Sequence, residues 1–327
     1  MKPGMSAVLV LGMLSALSAP SFAQSEPVRV VTTIGMIGDA VENVGGDCVD
    51  LTTIMGPGVD PHLYQARPAD VRSLQTADVI LYSGYFLEGR LGEVLDKFGE
   101  QKPTVAVSPA SIPREDLIAT QDSYGVDPHL WMDVGLWSRI VPTTAEVLAQ
   151  ARPDCEARFR TNAQAYREQL LALDGWVREA VASIPEGQRT LVTAHDAFAY
   201  YGRAYGIEVA GIQGISTQAE ASIADIRATA DLIATKGVPA VFVESTVNPR
   251  TIQAVIDAVR QRGAEVEIGG ELFSDAMGEE GTAGGTYVGM IVGNTRTIVQ
   301  ALGGTVPDLP PALAGWAAQW SLAGAEG

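Results

Sequence analysis

Residues 153–185 read PDCEARFRTNAQAYREQLLALDGWVREAVASIP, and the meaning of this stretch decides the architecture. Its apolar positions Phe159, Ala163, Tyr166, Leu170, Leu173, Val177, Val181 and Ile184 advance by three or four residues, the period that draws one stripe along an α-helix. Pro153 can open such a helix and Pro185 stops it, because the ring removes an amide donor and collides with the turn before it. Roughly thirty residues at ~1.5 Å rise make a rod about 45 Å long, far beyond the ~11–12 residues of an average helix. On each side lie four short β-branched or apolar runs: 28–33, 51–55, 79–83 and 104–108 before it, then 190–194, 208–211, 240–244 and 265–269 after it. Helical patterns follow most of them, at 68–76, 134–149, 223–236, 249–262 and 286–302. That alternation signals βα units and mainly parallel sheets. The expected fold is α/β: two parallel-sheet lobes, residues 24–152 and 186–327, joined by one long rigid helix over 153–185. The competing reading is a long surface helix of one domain; the even split of strands favours the connector.

The length of 327 residues suits two lobes with a core each, and 46% hydrophobic residues exclude disorder. Residues 1–23 stand apart. Lys2 supplies a positive start, residues 7–17 are apolar but too short to span a bilayer, and Ser21-Phe22-Ala23 offers small residues for cleavage near Ala23. This predicts a signal peptide and an exported, periplasmic protein. No cysteine follows the apolar run to take a lipid. Removing Lys2 shifts the formal charge from −17 to about −18. So acidic a chain is a poor partner for nucleic acid, whose phosphates require Lys and Arg. The two cysteines, Cys48 and Cys155, form an even pair that an oxidising compartment could join, though their spacing does not say whether the geometry allows it.

The chain has only three histidines. Two lie in an echoed motif, Gly58-Val59-Asp60-Pro61-His62-Leu63-Tyr64 and Gly125-Val126-Asp127-Pro128-His129-Leu130-Trp131. The third, His195, follows the apolar run 190–194. In the repeat, Asp60 and Asp127 can act as helix N-caps, and Pro61 and Pro128 suit a first helical position. That would project His62 and His129 at the carboxyl edge of a sheet, where open α/β folds bind ligands. Any one such histidine is readily a capped surface residue. Three of them, all at strand-to-helix junctions, point instead to a shared metal ion, because imidazole is the commonest metal ligand. A fourth ligand should be an oxygen. Asp275 in the Gly-rich stretch 269–278 is the better candidate for a compact site, with Glu271 as its competitor. Metal-bound imidazoles usually donate their other N–H to a carboxylate. Glu244 is the first candidate for that role, and Asp133, Asp196 and Glu220 are weaker ones.

These segments make the chain resemble the metal-binding solute-binding proteins of zinc and manganese ABC importers (cluster A-I), in the branch with three His and one Asp. The matching stretches are 58–64, 127–133, 193–200, 242–247, 269–278 and 285–290, spread across residues 27–303. The resemblance implies two lobes joined by a rigid helix, with one metal ion in the cleft between them. It implies His62 and His129 as ligands from the first lobe, His195 and Asp275 from the second, and so favours Asp275 over Glu271. Manganese-specific relatives often carry Glu where this chain has His195, and many zinc-specific ones carry a His-rich loop that it lacks. Three imidazoles and a carboxylate match the four-coordinate habit of Zn²⁺, and the affinity order of divalent ions disfavours Mn²⁺. Zinc is the leading choice and manganese the second.

The function expected is capture of a divalent transition metal in the periplasm and delivery to an ABC import permease, with no reaction catalysed. A periplasmic metallochaperone is a further candidate partner, and a monomer the expected state. A zinc hydrolase is the main rival, but it would keep an open metal position, and no His-Glu-x-x-His pattern occurs. A metal-dependent adhesin is the other. A stiff connector restricts hinge bending, so small lobe movements are expected, with loops around His129, His195 or Asp275 rearranging. The stretch 278–285, rich in glycine, could be a lid or an idle loop.

Overall fold

The computed structural model describes residues 26–121 and 125–322; the expected signal peptide and its cleavage point lie outside them. The first lobe contains β1 (Val28–Ile34), α1 (Gly35–Gly45), β2 (Val49–Met55), α2 (Pro68–Thr76), β3 (Val79–Tyr82), α3 (Leu91–Gly99), β4 (Thr104–Ala106), α4 (Val107–Ser111), α5 (Val134–Trp137) and α6 (Ile140–Ala151). A long helix, α7 (Glu156–Ala182), then leads into β5 (Thr190–His195), α8 (Ala199–Tyr205), β6 (Glu208–Gln213), α9 (Ile223–Lys236), β7 (Ala240–Glu244), α10 (Arg250–Arg260), β8 (Glu267–Leu272), α11 (Tyr287–Ala301) and α12 (Ala314–Gln319). The two sheets have the same topology. Strand order is β2-β1-β3-β4 in the first and β6-β5-β7-β8 in the second, and every pairing of named strands is parallel. Such an order opens a crevice at the carboxyl ends of the central strands, where successive connections leave in opposite directions.

The stripe along the linking helix is buried throughout, from Phe159 to Ile184. After one 3₁₀ turn over Pro153–Cys155, α7 runs for 27 residues, about 40 Å. It packs on α1, α5 and α6 of the first lobe and on α8 and α11 of the second. One hydrophobic core therefore runs from the first sheet through α7 into the second lobe. A smaller cluster, built on Val192, Ile233, Val241 and Ile256, seats α9 and α10 on the second sheet. A rod clamped by close-packed side chains at both ends has little freedom to bend.

Cys48 and Cys155 are joined, with an S–S distance of 2.07 Å across a separation of 107 residues. The bond ties the entry to β2 to the turn that opens α7. Closing a loop of that length restricts the unfolded chain by an amount worth about 4–5 kcal/mol.

Two expectations from the sequence need correction. The helix expected over 134–149 is two helices, α5 and α6, broken at Ser138 and Arg139. Pro142 is the cause: it has no amide to bond back to Ser138, but is tolerated in the first turn of a new helix. The last strand runs on to Leu272 instead of ending at 269. A register shift opposite Val241 and Phe242, with Gly270 at φ 142, carries it further. That extension brings the chain directly to Asp275.

Candidate metal centre

His62, His195 and Asp275 lie past or at the end of a named strand. His129 does not, although the sequence suggested it would: α4 and a 3₁₀ turn over Arg114–Asp116 come between it and β4. His62 occupies a turn after β2, and His129 immediately precedes a 3₁₀ turn over Leu130–Met132. His195 is the last residue of β5, beside β7 at the second sheet's crevice. Asp275 lies three residues past β8. The repeated Asp-Pro-His motif does not begin helices as the sequence suggested. Each aspartate instead accepts from the amide of its own histidine, Asp60 Oδ1 at 2.8 Å from His62 N and Asp127 Oδ1 at 2.9 Å from His129 N. This is an Asx turn, which offers the backbone an alternative to helix. In the first copy, Pro68 also holds Arg67 extended (φ −91°, ψ 160°), so α2 cannot start earlier.

The four side chains converge. One ligand atom of each of His62, His129, His195 and Asp275 lies within 4.8 Å of all the others, and none of the four residues is more than 3% exposed. His62 Nε2 is 3.2 Å from His129 Nε2 and 3.6 Å from Asp275 Oδ2. Asp275 Oδ1 is 3.3 Å from His129 Nε2, and its Oδ2 is 3.3 Å from His195 Nε2. Four ligands about 2.0–2.1 Å from a central ion stand about 3.3 Å apart at the corners of a tetrahedron. The spacing fits such an ion. So does the hydrogen bonding: Nε2 of His195 and both oxygens of Asp275 are buried without a hydrogen-bond partner of good geometry. A polar atom left so costs about 1–3 kcal/mol, which a bound cation would recover.

Electrostatics give the site a second signature. Burial drives His62 down to about 3, against the attraction of Asp275, so its ring is neutral. Burial also opposes charge on His129, but the Asp127 charge and hydrogen bond, with Asp275 behind them, raise it to about 9. His195 is likewise raised well above its usual value against burial, by Glu244 and then Asp275. Asp275 is held well below the carboxylate range, burial being outweighed by His195 and His129. At neutral pH, then, two imidazolium protons supply the positive charge among three carboxylates. A divalent cation that expelled both would leave the local charge unchanged.

Glu244 lies against His195. Its Oε2 accepts from His195 Nδ1 at 2.5 Å and its Oε1 from His195 N at 2.8 Å. Asp127, read from the sequence only as a cap, does the same for the other ring, accepting from His129 Nδ1 at 2.7 Å. The Asp-x-His spacing alone does not signal this, because Asp60 makes the same Asx turn with His62 and gives its other oxygen to Thr217. The weaker candidates stay apart. Asp133 caps α5, accepting from Leu136 N at 2.9 Å. Asp196 is half-buried beside the site, and among the described residues it hydrogen-bonds no site histidine. Glu220 and Glu271 are exposed.

Buried aromatic residues fasten the first-lobe segment around His129 to the second lobe. Tyr200 Oη donates to Asp127 O at 3.0 Å, Tyr287 Oη donates to Trp131 O at 2.7 Å, and Trp131 Nε1 donates to Ser274 O at 2.8 Å. Gly211 allows a close approach on the other side, since a Cβ there would lie 2.5 Å from Asp196 N, just past His195. The glycine-rich stretch 278–285 closes on itself, with Gly278 N donating to Gly284 O at 2.8 Å and Gly285 N to Thr282 Oγ1 at 3.2 Å.

Comparison with known proteins agrees with this geometry. A family profile described as zinc-uptake complex component A, periplasmic, matches residues 30–301. The chain is 48% identical over 300 residues to the zinc-binding protein TroA of Treponema pallidum, covering 90% of this chain and 96% of that protein. It is 47% identical over 277 residues to the manganese-binding lipoprotein MntA of Bacillus subtilis, covering 85% and 90%. The solved structure of the periplasmic zinc-binding protein TroA from Treponema pallidum superimposes with a TM-score of 0.82 at 49% identity, over 84% of this chain and 99% of that one.

Proposed function

The chain belongs to the family of periplasmic zinc-uptake component A proteins, and from that premise we propose that His62, His129, His195 and Asp275 hold one zinc ion as cargo for an ABC importer. It is a metal-binding solute-binding protein, not an enzyme, and its partner is a membrane permease. The protein is exported, and its working place is the periplasm. Mn²⁺ is the second metal the site would accept, and the two relatives named for zinc and for manganese are nearly equally similar to this chain. The donor chemistry therefore carries the choice. Three imidazole nitrogens and one carboxylate suit Zn²⁺, and nitrogen-rich sites bind it above Mn²⁺.

The observation that carries this reading is the convergence of four buried donor residues from two lobes, at ligand-to-ligand spacing, with three of their donor atoms lacking hydrogen-bond partners. Four protein ligands leave no open position for an activated water, so the arrangement suits retention of the ion and not hydrolysis. All four come from one chain, so the monomer is the working unit. A periplasmic metallochaperone is a compatible means of loading so enclosed a site.

The test is competitive metal binding to purified, stripped protein. One Zn²⁺ per chain should bind, Mn²⁺ should compete only weakly, and His195→Ala should abolish tight binding. Parental affinity in His195→Ala would remove His195 from the site. Tighter Mn²⁺ than Zn²⁺ would reverse the choice of metal.

A further inference from the structure

The cargo is enclosed between two lobes that share a core and a clamped helix, so a way out must be local. The sequence pointed to loops around His129, His195 or Asp275. Yet the His129 and Asp275 segments are joined across the cleft by buried hydrogen bonds from Trp131 and Tyr287, and His195 is fixed in a strand with Glu244 on its ring. The His62 side is held differently. A strap over residues 214–221 leaves the second sheet at Gln213, the register partner of His195. It ends at Ser222, which is fixed by its capping box with Asp225 at the start of α9. Between these anchors the strap reaches to the first lobe. Thr217 Oγ1 donates to Asp60 Oδ2 at 2.5 Å, and Gln218 Nε2 donates to His62 O at 3.3 Å.

These two bonds grip the Asx turn that carries His62, one on each end. The other oxygen of Asp60 already accepts from His62 N, so Thr217 fixes the carboxylate that shapes the turn. Gln218, Ala219 and Glu220 are exposed, and Ile215 is only partly buried. A segment with anchored ends, little buried apolar surface and only part-buried hydrogen bonds to the first lobe belongs to the part of a fold that opens locally at low cost. Nothing in the strap is itself a metal donor among the candidate ligands.

We propose that the strap over residues 214–221 is the gate of the metal site: Thr217 and Gln218 lock the His62 turn against the second lobe and set the rate at which the ion leaves. Opening it frees one ligand of four while His129, His195 and Asp275 stay in place. Both residues are positioning residues that act through Asp60 and His62. The inference rests on the metal-capture reading above, and its test separates the two.

The test is stopped-flow loss of Zn²⁺ to a chelator from the full chain, for the parent, Thr217→Val, Gln218→Ala and Thr217→Ser. Thr217→Val removes one hydroxyl at nearly constant shape. Losing a hydrogen bond to a charged group should speed release about tenfold or more, and Gln218→Ala should act in the same direction but less. Thr217→Ser should restore slow release. The visible absorption of Co²⁺-loaded protein should match the parent in all variants, which a merely structural defect at the site would not allow. Parental release rates in Thr217→Val overturn the gate, as does a changed Co²⁺ spectrum, which would mean that Thr217 shapes the ligand set itself. A parent that fails to retain Zn²⁺ sinks the metal reading, and the gate with it.

Discussion

The same five residues, Gly-Val-Asp-Pro-His, occur twice in the first lobe and are used in two ways. In the copy ending at His129, Asp127 accepts both from the histidine amide and from its ring, and tyrosine and tryptophan hydrogen bonds join the segment to the second lobe. In the copy ending at His62, Asp60 caps the amide with one oxygen and gives the other to Thr217 across the cleft. One copy is a fixed half of the site, and the other is held by a surface strap. The difference teaches that the pentapeptide specifies only the Asx turn. What surrounds it decides whether the aspartate tunes a ring or latches a lobe.

Ligand deletion gives the largest effect and treats the two copies alike. His62→Ala and His129→Ala should each weaken zinc by more than the about 10–100-fold that loss of an orienting partner costs, read by chelator competition. Retained affinity in either variant would break the pairing of the copies. Acidification comes next and separates them. His129 is raised to about 9 and His195 well above its usual value, so both are protonated at neutral pH and both protons must leave on binding, whereas His62 at about 3 has none to lose. Affinity should therefore fall about 100-fold for each unit of pH lowered between 8 and 6, two protons being released per ion. A flat profile would contradict this.

The aspartates sharpen the contrast. Asp127→Asn should cost about 10–100-fold in affinity and remove the charge that keeps His129 protonated, so the pH dependence should ease toward tenfold per unit. Asp60→Asn keeps an acceptor for His62 N and should cost less than about tenfold. Equal losses would mean that the copies are not used differently. The smallest effect on binding is expected from Cys48→Ser with Cys155→Ser. That variant should lose about 4 kcal/mol of unfolding free energy in denaturant titration and keep its zinc affinity, since the bond fastens α7 far from both copies. A drop in affinity would show that the clamped helix sets the site.

Much of this was legible from pattern. The three-and-four stepping from Phe159 to Ile184 gave a buried face because a helix clamped between lobes must hide one stripe, and all eight of those residues are buried. The histidines could be singled out because there are only three, and Glu244 because it ends a strand beside His195. Other features depend on contacts distant in sequence. Asp127 could be read as a cap but not as the partner of the His129 ring, because Asp60 in the same motif gives its second oxygen to Thr217, far along the chain. The break at Pro142 was locally visible and was overridden by the apolar period around it. The strap could not be read at all, because Thr217 meets Asp60 across 157 residues of chain.

The central claim is that side chains from two lobes complete one coordination sphere. X-ray absorption at the zinc edge of the loaded protein measures that sphere directly. The account predicts four light-atom ligands at about 2.0–2.1 Å, with outer-shell scattering from three imidazoles that drops to two in His62→Ala and equally in His195→Ala. A spectrum with sulfur, with fewer than three imidazoles in the parent, or unchanged by either substitution would contradict it.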